Sequence, residues 1–409
     1  MLYTILLVLI KDSYLLKKYF LALIGSILVF SCSGNDKKVD ANIETIEVDP
    51  EEATEVFLSG FVDEIRFVKL STEKNSLIGY IDKVRIVEDK IFVFDSYRAK
   101  GVFVYDMDGN ALYNIVKPGS GPGEFLEPND FVIDTTSNAI IIYDGSAVKF
   151  SHYDLDTGRF IKDQKLDFRL SSFWSTKDRY ILFLNNHIFK DNRNNIIITD
   201  KNLEILSTSL KIRPDQKGFH YNLPRTFYEH KESVYFTAPS NYIIYRYKNN
   251  NFSEYIKLDV GDKNLPKGYF GEFKDWRDRF KLAENSIRAF SNYYEDDGFR
   301  YFTYFGDTIY FVLEFKNSGE VFHGVHNEIT KDMGSGPLMG WPDDYFNKTL
   351  VYHQTPRQLY DYLNDKKQTM SEDEWDAFKF KNSDLLRFSQ RATVDSNPYI
   401  IFLKLKSQN

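Results

Sequence analysis

The chain has 409 residues, enough for two or three average domains or one large repeat fold. Acidic residues number 59 against 52 basic ones, a net charge of −7. That balance excludes the basic face a nucleic-acid binder needs to displace counterions from phosphates. Hydrophobic residues at 43% exclude wholesale disorder, and a single cysteine excludes an internal disulfide framework or a CxxC metal knuckle.

The N-terminus carries two apolar stretches, 2–10 and 19–30, split by a polar segment with Lys11, Asp12, Lys17 and Lys18. Neither reaches the roughly 20 apolar residues that a membrane-spanning helix needs. The second reads as the apolar region of a secretory signal, with Lys17 and Lys18 as its charged flank. It runs into Val29-Phe30-Ser31-Cys32, which resembles a bacterial lipobox: an aliphatic residue at −3, a small one at −1, then the cysteine that is lipidated. Residues 1–31 are therefore read as a lipoprotein signal peptide, with 2–15 an extension upstream of the signal proper, and Cys32 as the acylated N-terminus. Acyl chains would anchor the protein in a membrane, and the polar stretch 32–54 reads as a flexible tether. Ser33 is no inner-membrane retention signal, and the tether lacks a dense acidic run resembling a surface-export signal. The expected address is the outer membrane, on the periplasmic side in preference to the cell surface.

From residue 62 onward, short β-rich and aromatic-rich runs alternate with Asp, Asn and Gly turns. Aromatic residues are 16% of the chain, which suits pleated sheet more than a set of sugar platforms. The string GVFVYDMDG at 101–109 returns as KFSHYDLDTG at 149–158, so that Asp106 and Asp154 stand 48 apart. The same slot recurs at 196–203, 243–250 and 309–319, carrying Asp200, Tyr247 and Phe315. One strand earlier, IFVFD ending at Asp95 returns as IIIYD ending at Asp144. A unit of about 47 residues with four strands is the size of a propeller blade. Outside two stretches that do not read as strand, about 264–290 and 355–391, residues 62–402 hold about six such units. The predicted fold is all-β, a six-bladed β-propeller over 55–409. Residues 398–406 occupy the third-strand slot of blade six, and 63–70 can supply its missing outer strand, a 3+1 closure that removes an exposed edge.

These landmarks, with LIG at 77–79, GSGPGEF at 119–125 and DSNPY at 395–399, resemble the six-bladed β-propeller lipoproteins of Bacteroidota, relatives of NHL-repeat propellers. The resemblance covers roughly residues 55–406. It implies a lipid-anchored propeller considered alongside nutrient-uptake machinery, and it implies no catalytic mechanism.

GSGPGEF superficially resembles a phosphate-cradling loop, yet it lacks the Lys-Ser/Thr pair and a following helix, and Pro122 removes an N–H. It reads as a tight link between blades one and two. Asp95, Asp106, Asp144, Asp154 and Asp200 read as acceptors for turn N–H groups, in preference to a carboxylate ring around a cation. His323 and His326 sit at i,i+3 on a predicted strand and face opposite ways, so a zinc pair is not expected. His152, His187, His220, His230 and His353 could still hide a His–carboxylate pair. No GxSxG elbow occurs. No catalytic residue, metal or cofactor is assigned.

The insertions carry more. Residues 270–290 read as an amphipathic helix with Trp276, and 355–391 open on two capped helix starts at Thr355 and Ser371 with Trp375 following. Links between blades and loops between second and third strands open on the same propeller face, so both helical insertions crowd one rim. The expected binding surface is that face, with Trp276, Trp341 and Trp375 as aromatic anchors. The leading expectation is a non-catalytic envelope module that holds a ligand, a glycan among the candidates, or a membrane-protein partner. The alternative is a lyase or hydrolase on polymer fragments that uses a His–carboxylate pair in the axial cleft.

Overall fold

Strands such as AIIIYD and KIFVFD are apolar at nearly every position, a pattern that only a strand covered on both faces can satisfy. In the computed structural model they are the middle strands of six sheets stacked face to face. Residues 43–73, 76–221, 225–338 and 340–407 are described; the signal peptide, Cys32 and the tether's first part at 32–42 lie outside them.

Blade one comprises Lys83–Val87, Lys90–Asp95, Gly101–Asp106 and Ala111–Ile115. Blade two is Pro128–Asp134, Ala139–Asp144, Lys149–Asp154 and Phe160–Lys165. Blade three is Ser172–Ser175, Tyr180–Phe183, Asn194–Thr199 and Ile205–Lys211. Blade four runs through Phe227–His230, Ser233–Thr237, Ile243–Lys248 and Asn251–Asp259, and blade five through Ala289–Glu295, Phe299–Phe305, Ile309–Phe315 and Glu320–Val325. The sixth sheet joins Asp344–Phe346, Thr349–Gln354 and Tyr399–Leu405 to the much earlier Val62–Lys69. That early strand lies antiparallel on the last one, with Phe67 opposite Ile401. The protein is thus an all-β six-bladed propeller. Asp106, Asp154, Asp200, Tyr247 and Phe315 all mark third-strand ends.

Aromatic rings fill the seams between blades. Phe94 meets Phe131 at 5.2 Å, Phe150 stacks on Phe173 at 4.4 Å, and Phe183 meets Phe236 at 5.0 Å. Such pairs add about 1 kcal/mol each beyond the area they bury. Outer strands such as Phe160–Lys165 are largely exposed and correspondingly polar.

Two expectations are corrected. The tether does not extend to residue 54: Glu44–Glu47 pairs parallel with Asn251–Asp259 as a fifth strand of blade four. The side chain of Glu44 forks onto Arg300 at 2.8 and 2.9 Å, and Lys263 reaches Glu51 at 2.9 Å, so this segment is fixed by charge as well as by the ladder. The first insertion is mostly irregular, with one helix, Trp276–Leu282, capped by Asp275. Gly268, at φ 91°, sits in a left-handed turn, no residue of that helix is buried, and Phe290 already belongs to blade five. The second insertion forms three helices, Pro356–Thr369, Glu372–Lys381 and Ser383–Ser389, the first two opened by capping boxes on Thr355 and Ser371. Among the described residues no helix is long and apolar enough to cross a membrane.

Candidate functional site

Repetition of the blades puts equivalent residues around one face. Asp95 and Asp144, each fully buried at the end of a second strand, accept hydrogen bonds from two segments at once. Asp95 takes the N–H groups of Gly79 and Tyr80 from the incoming link and those of Tyr97 and Arg98 from its own turn, at 2.7–3.1 Å. Asp144 does the same for Leu126, Glu127, Ser146 and Ala147. Asp106, Asp154 and Asp200 serve turns on the opposite face. The GPGEF loop is likewise architectural. Gly123, at φ 68°, lies under the Phe160 ring, where a Cβ would come within 2.5 Å, and its carbonyl accepts from Tyr153 Oη at 2.7 Å.

Between these clamps lies a cavity of about 400 Å3, walled by blades one to three and the link into blade four. Its base is polar, buried and internally satisfied. Lys83 Nζ donates to Asp130 Oδ1 at 2.8 Å and to the Phe131 carbonyl at 3.0 Å, while Asp130 Oδ2 accepts from Phe173 N at 3.1 Å. Burial pulls the Lys83 ammonium below the ordinary lysine range, and Asp130 opposes that pull. Asn185 holds the Tyr221 backbone by both its amide atoms, at 2.7 and 3.0 Å. The rim is different in kind. Glu127, Asn129, Arg169 and His220 are exposed, and the His187 ring stacks on His220 at 3.8 Å. Burial, then the neighbouring His220 and Arg169, lower the pKa of His187 and keep it neutral near pH 7.

On the same face a second, shallower groove of about 270 Å3 runs over blades four and five. Phe219, Tyr221, Tyr269, Phe280 and Phe305 line it with Arg288, and His220 borders both spaces. The three tryptophans do not converge. Trp276 is 67% exposed and meets the groove residue Phe280 edge-on at 5.5 Å. Trp341 packs behind the opposite wall, against Phe305 at 5.2 Å. Trp375 stands apart in the second insertion, stacked on Phe378 at 5.3 Å beside an apolar pocket of about 250 Å3.

The histidines separate clearly. His323 Nε2 meets Tyr304 Oη at 2.6 Å, and His326 Nε2 meets Tyr352 Oη at 3.1 Å in the core. His152 is buried, with its pKa pushed down to about 4 by desolvation. His230 lies 3.6 Å from Asp297 at a hairpin on the far face. His353 Nδ1 lies 2.7 Å from Asp343 Oδ2, and Asp343 also pairs with Arg225. Burial opposes ionisation of Asp343, but His353 and Arg225 outweigh it and hold its pKa below the ordinary carboxylate value. Among the described residues no His, Cys, Asp and Glu side chains cluster as a metal site.

Sequence reasoning named His187 and His220 but missed the rest of the rim and the base of the polar cavity. A signal was available: Asp82 and Asn129 stand 47 apart, the repeat's own period, and each caps its blade's second turn, Asp82 on Ser96 N and Asn129 on Gly145 N. Lys83 and Asp130, the next residues along, are the pair in the cavity base.

A solved structure of a candidate exported protein from Bacteroides fragilis superposes with a TM-score of 0.75 at 17% identity, covering 89% of this chain and all of that one. A member of the DUF4221 family from Bacteroides vulgatus gives 0.45 at 9% identity over 85% of this chain and 99% of its own. No curated protein matches the sequence. The model of the family described as "Domain of unknown function (DUF4934)" matches residues 43–404, and the chain belongs to that family.

Proposed function

We propose that the protein is an exported, lipid-anchored propeller of the cell envelope, on the periplasmic side of the outer membrane, that binds a glycan fragment without turning it over. The observation that carries this reading is the polar cavity: a buried base whose groups are already paired, under a rim whose Asn129, Glu127 and Arg169 side chains face solvent. A prepaired base costs little to desolvate, and rim amides, carboxylates and guanidinium match hydroxyl groups as donors and acceptors. The aromatic groove alongside offers flat faces for sugar rings. Export and anchoring are supported by the lipobox-like Val29-Phe30-Ser31-Cys32 and by the similarity to a candidate exported protein. The test is calorimetry of the purified protein against an oligosaccharide panel. Asn129→Ala and Arg169→Ala should each weaken a hit at least fivefold, Arg169→Ala at unchanged melting temperature, and equal binding by both variants would remove the cavity from the site.

A second reading, a lyase or hydrolase, is favoured by one observation. His353 and Asp343 lie within hydrogen-bond reach of each other on this same face near the axis, as a general base and its orienting carboxylate would. Products detected by mass spectrometry and abolished by His353→Gln would establish it; intact oligosaccharide after prolonged incubation would dismiss it.

A further inference from the structure

Resting on the glycan reading above, we infer that the saccharide is acidic, with its rings on the aromatic groove of blades four and five and a carboxylate or sulfate on Arg288 and Arg279. In a chain with more carboxylates than cations, most buried or half-buried guanidinium groups find an acid: Arg225 pairs with Asp343, Arg300 with Glu44 and Glu314, Arg85 with Asp344. Among the described residues Arg279 and Arg288 form no ion pair, although both lie close enough to act on the groove residue Tyr269. Each is held in place by an aromatic face and one carbonyl. Arg279 lies over Phe219 at 4.7 Å and Phe273 at 5.1 Å and donates to the Gly271 carbonyl at 3.0 Å, while its buried Nε has no acceptor. Arg288 lies over Phe280 at 5.1 Å and donates to the Gly306 carbonyl. Asp307, whose charge Arg288 stabilises, is taken by Tyr310 Oη and Thr308 N.

Stacking fixes the guanidinium planes while leaving their edges with N–H groups to donate. A neutral ring laid over the groove would desolvate those donors without replacing their water, whereas an oxyanion meets them with charge-assisted, bidentate bonds. The groove continues into the polar cavity at His220, so a chain of sugars can keep its hydroxyl-rich end over Asn129 and Glu127 and its acid over the arginines.

The test is calorimetry of the purified full-length protein with tetragalacturonate, a sulfated carrageenan tetrasaccharide and maltotetraose at low salt. At least one acidic probe should bind ten times more tightly than maltotetraose and weaken with added salt; which one it is distinguishes carboxylate from sulfate recognition. Arg288→Gln and Arg279→Gln should each lower acidic affinity at least fivefold and shrink the preference for the acidic probe over maltotetraose. Arg288→Lys guards against a folding defect, since it keeps the charge and should retain part of the affinity. Equal binding of acidic and neutral probes, or acidic binding untouched in both Gln variants, would overturn the acidic ligand and leave the glycan reading standing. Binding of none of the three would overturn both.

Discussion

His326 offers a stability test whose sign and size follow from its surroundings. The ring is fully buried between Phe311 and Tyr352, with Nε2 on Tyr352 Oη and Nδ1 without an acceptor. Burial pushes its pKa down to about 4, Asn327 opposes the shift, and the nearby Lys331 adds to it. In the unfolded chain the same imidazole titrates at about 6.5. Between those values the unfolded state binds the proton and the folded state does not, so stability falls as pH drops from 6.5 toward 4. The loss is about 2 kcal/mol by pH 5 and about 3 kcal/mol once both states are protonated, at about 1.4 kcal/mol per pH unit. The assay is urea unfolding of the wild type and of His326→Gln from pH 8 to pH 5. The variant should be less stable at pH 8, having lost ring packing, and the gap should close by about 2 kcal/mol by pH 5, because Gln does not titrate. A gap that stays constant across that range would refute a neutral, unprotonated His326 in the core.

Asp144→Ala strips one acceptor from four N–H groups in a fully buried clamp and should cost about 2–4 kcal/mol in urea unfolding. Asp106→Ala, whose turn faces solvent, should cost under about 1 kcal/mol in the same assay. Trp276→Ala, at a side chain 67% exposed, should leave the melting temperature unchanged and weaken a groove-bound saccharide severalfold. Asn185→Asp should be tolerated poorly. The carboxylate would face the Tyr221 carbonyl that the amide now donates to at 2.7 Å, a loss of about 1–3 kcal/mol by thermal unfolding, with ligand affinity falling alongside.

The blade count was legible because a strand covered on both faces must be apolar throughout, and that demand repeats with the blade. The Asp95 and Asp144 pattern was legible for a similar reason, since a carboxylate, with two acceptor oxygens, suits a position that takes four N–H groups from two backbone segments. The polar cavity was less visible because Glu127, Arg169, His187 and His220 on it sit in links and turns, which do not keep the strand period. Asp82 and Asn129 are the exception, having kept the period through their capping bonds. The first insertion misled because apolar residues at helical spacing, such as Ile287 and Phe290, belong to the blades it leaves and enters, not to a helix face. Residues 44–47 looked like tether because two of the four are Glu, and their partners, such as Arg300, lie more than 200 residues away.

The junction between cavity and groove turns on one departure from the repeat. Blades one and two end their second strands in Asp95 and Asp144, which can only accept, and so each receives a link through its N–H groups. Near the corresponding point of blade three stands Asn185, and an amide both donates and accepts. It grips Tyr221 through N–H and C=O together, and its own carbonyl meets His220 Nδ1 at 2.8 Å. Asp95 and Asp144 fasten the link that enters their blade, whereas Asn185 fastens the link that leaves it for blade four. That places His220 against His187 on the polar side and Tyr221 beside Tyr269 on the aromatic side. A device that elsewhere only fastens loops here joins two spaces of different chemistry at one residue, His220.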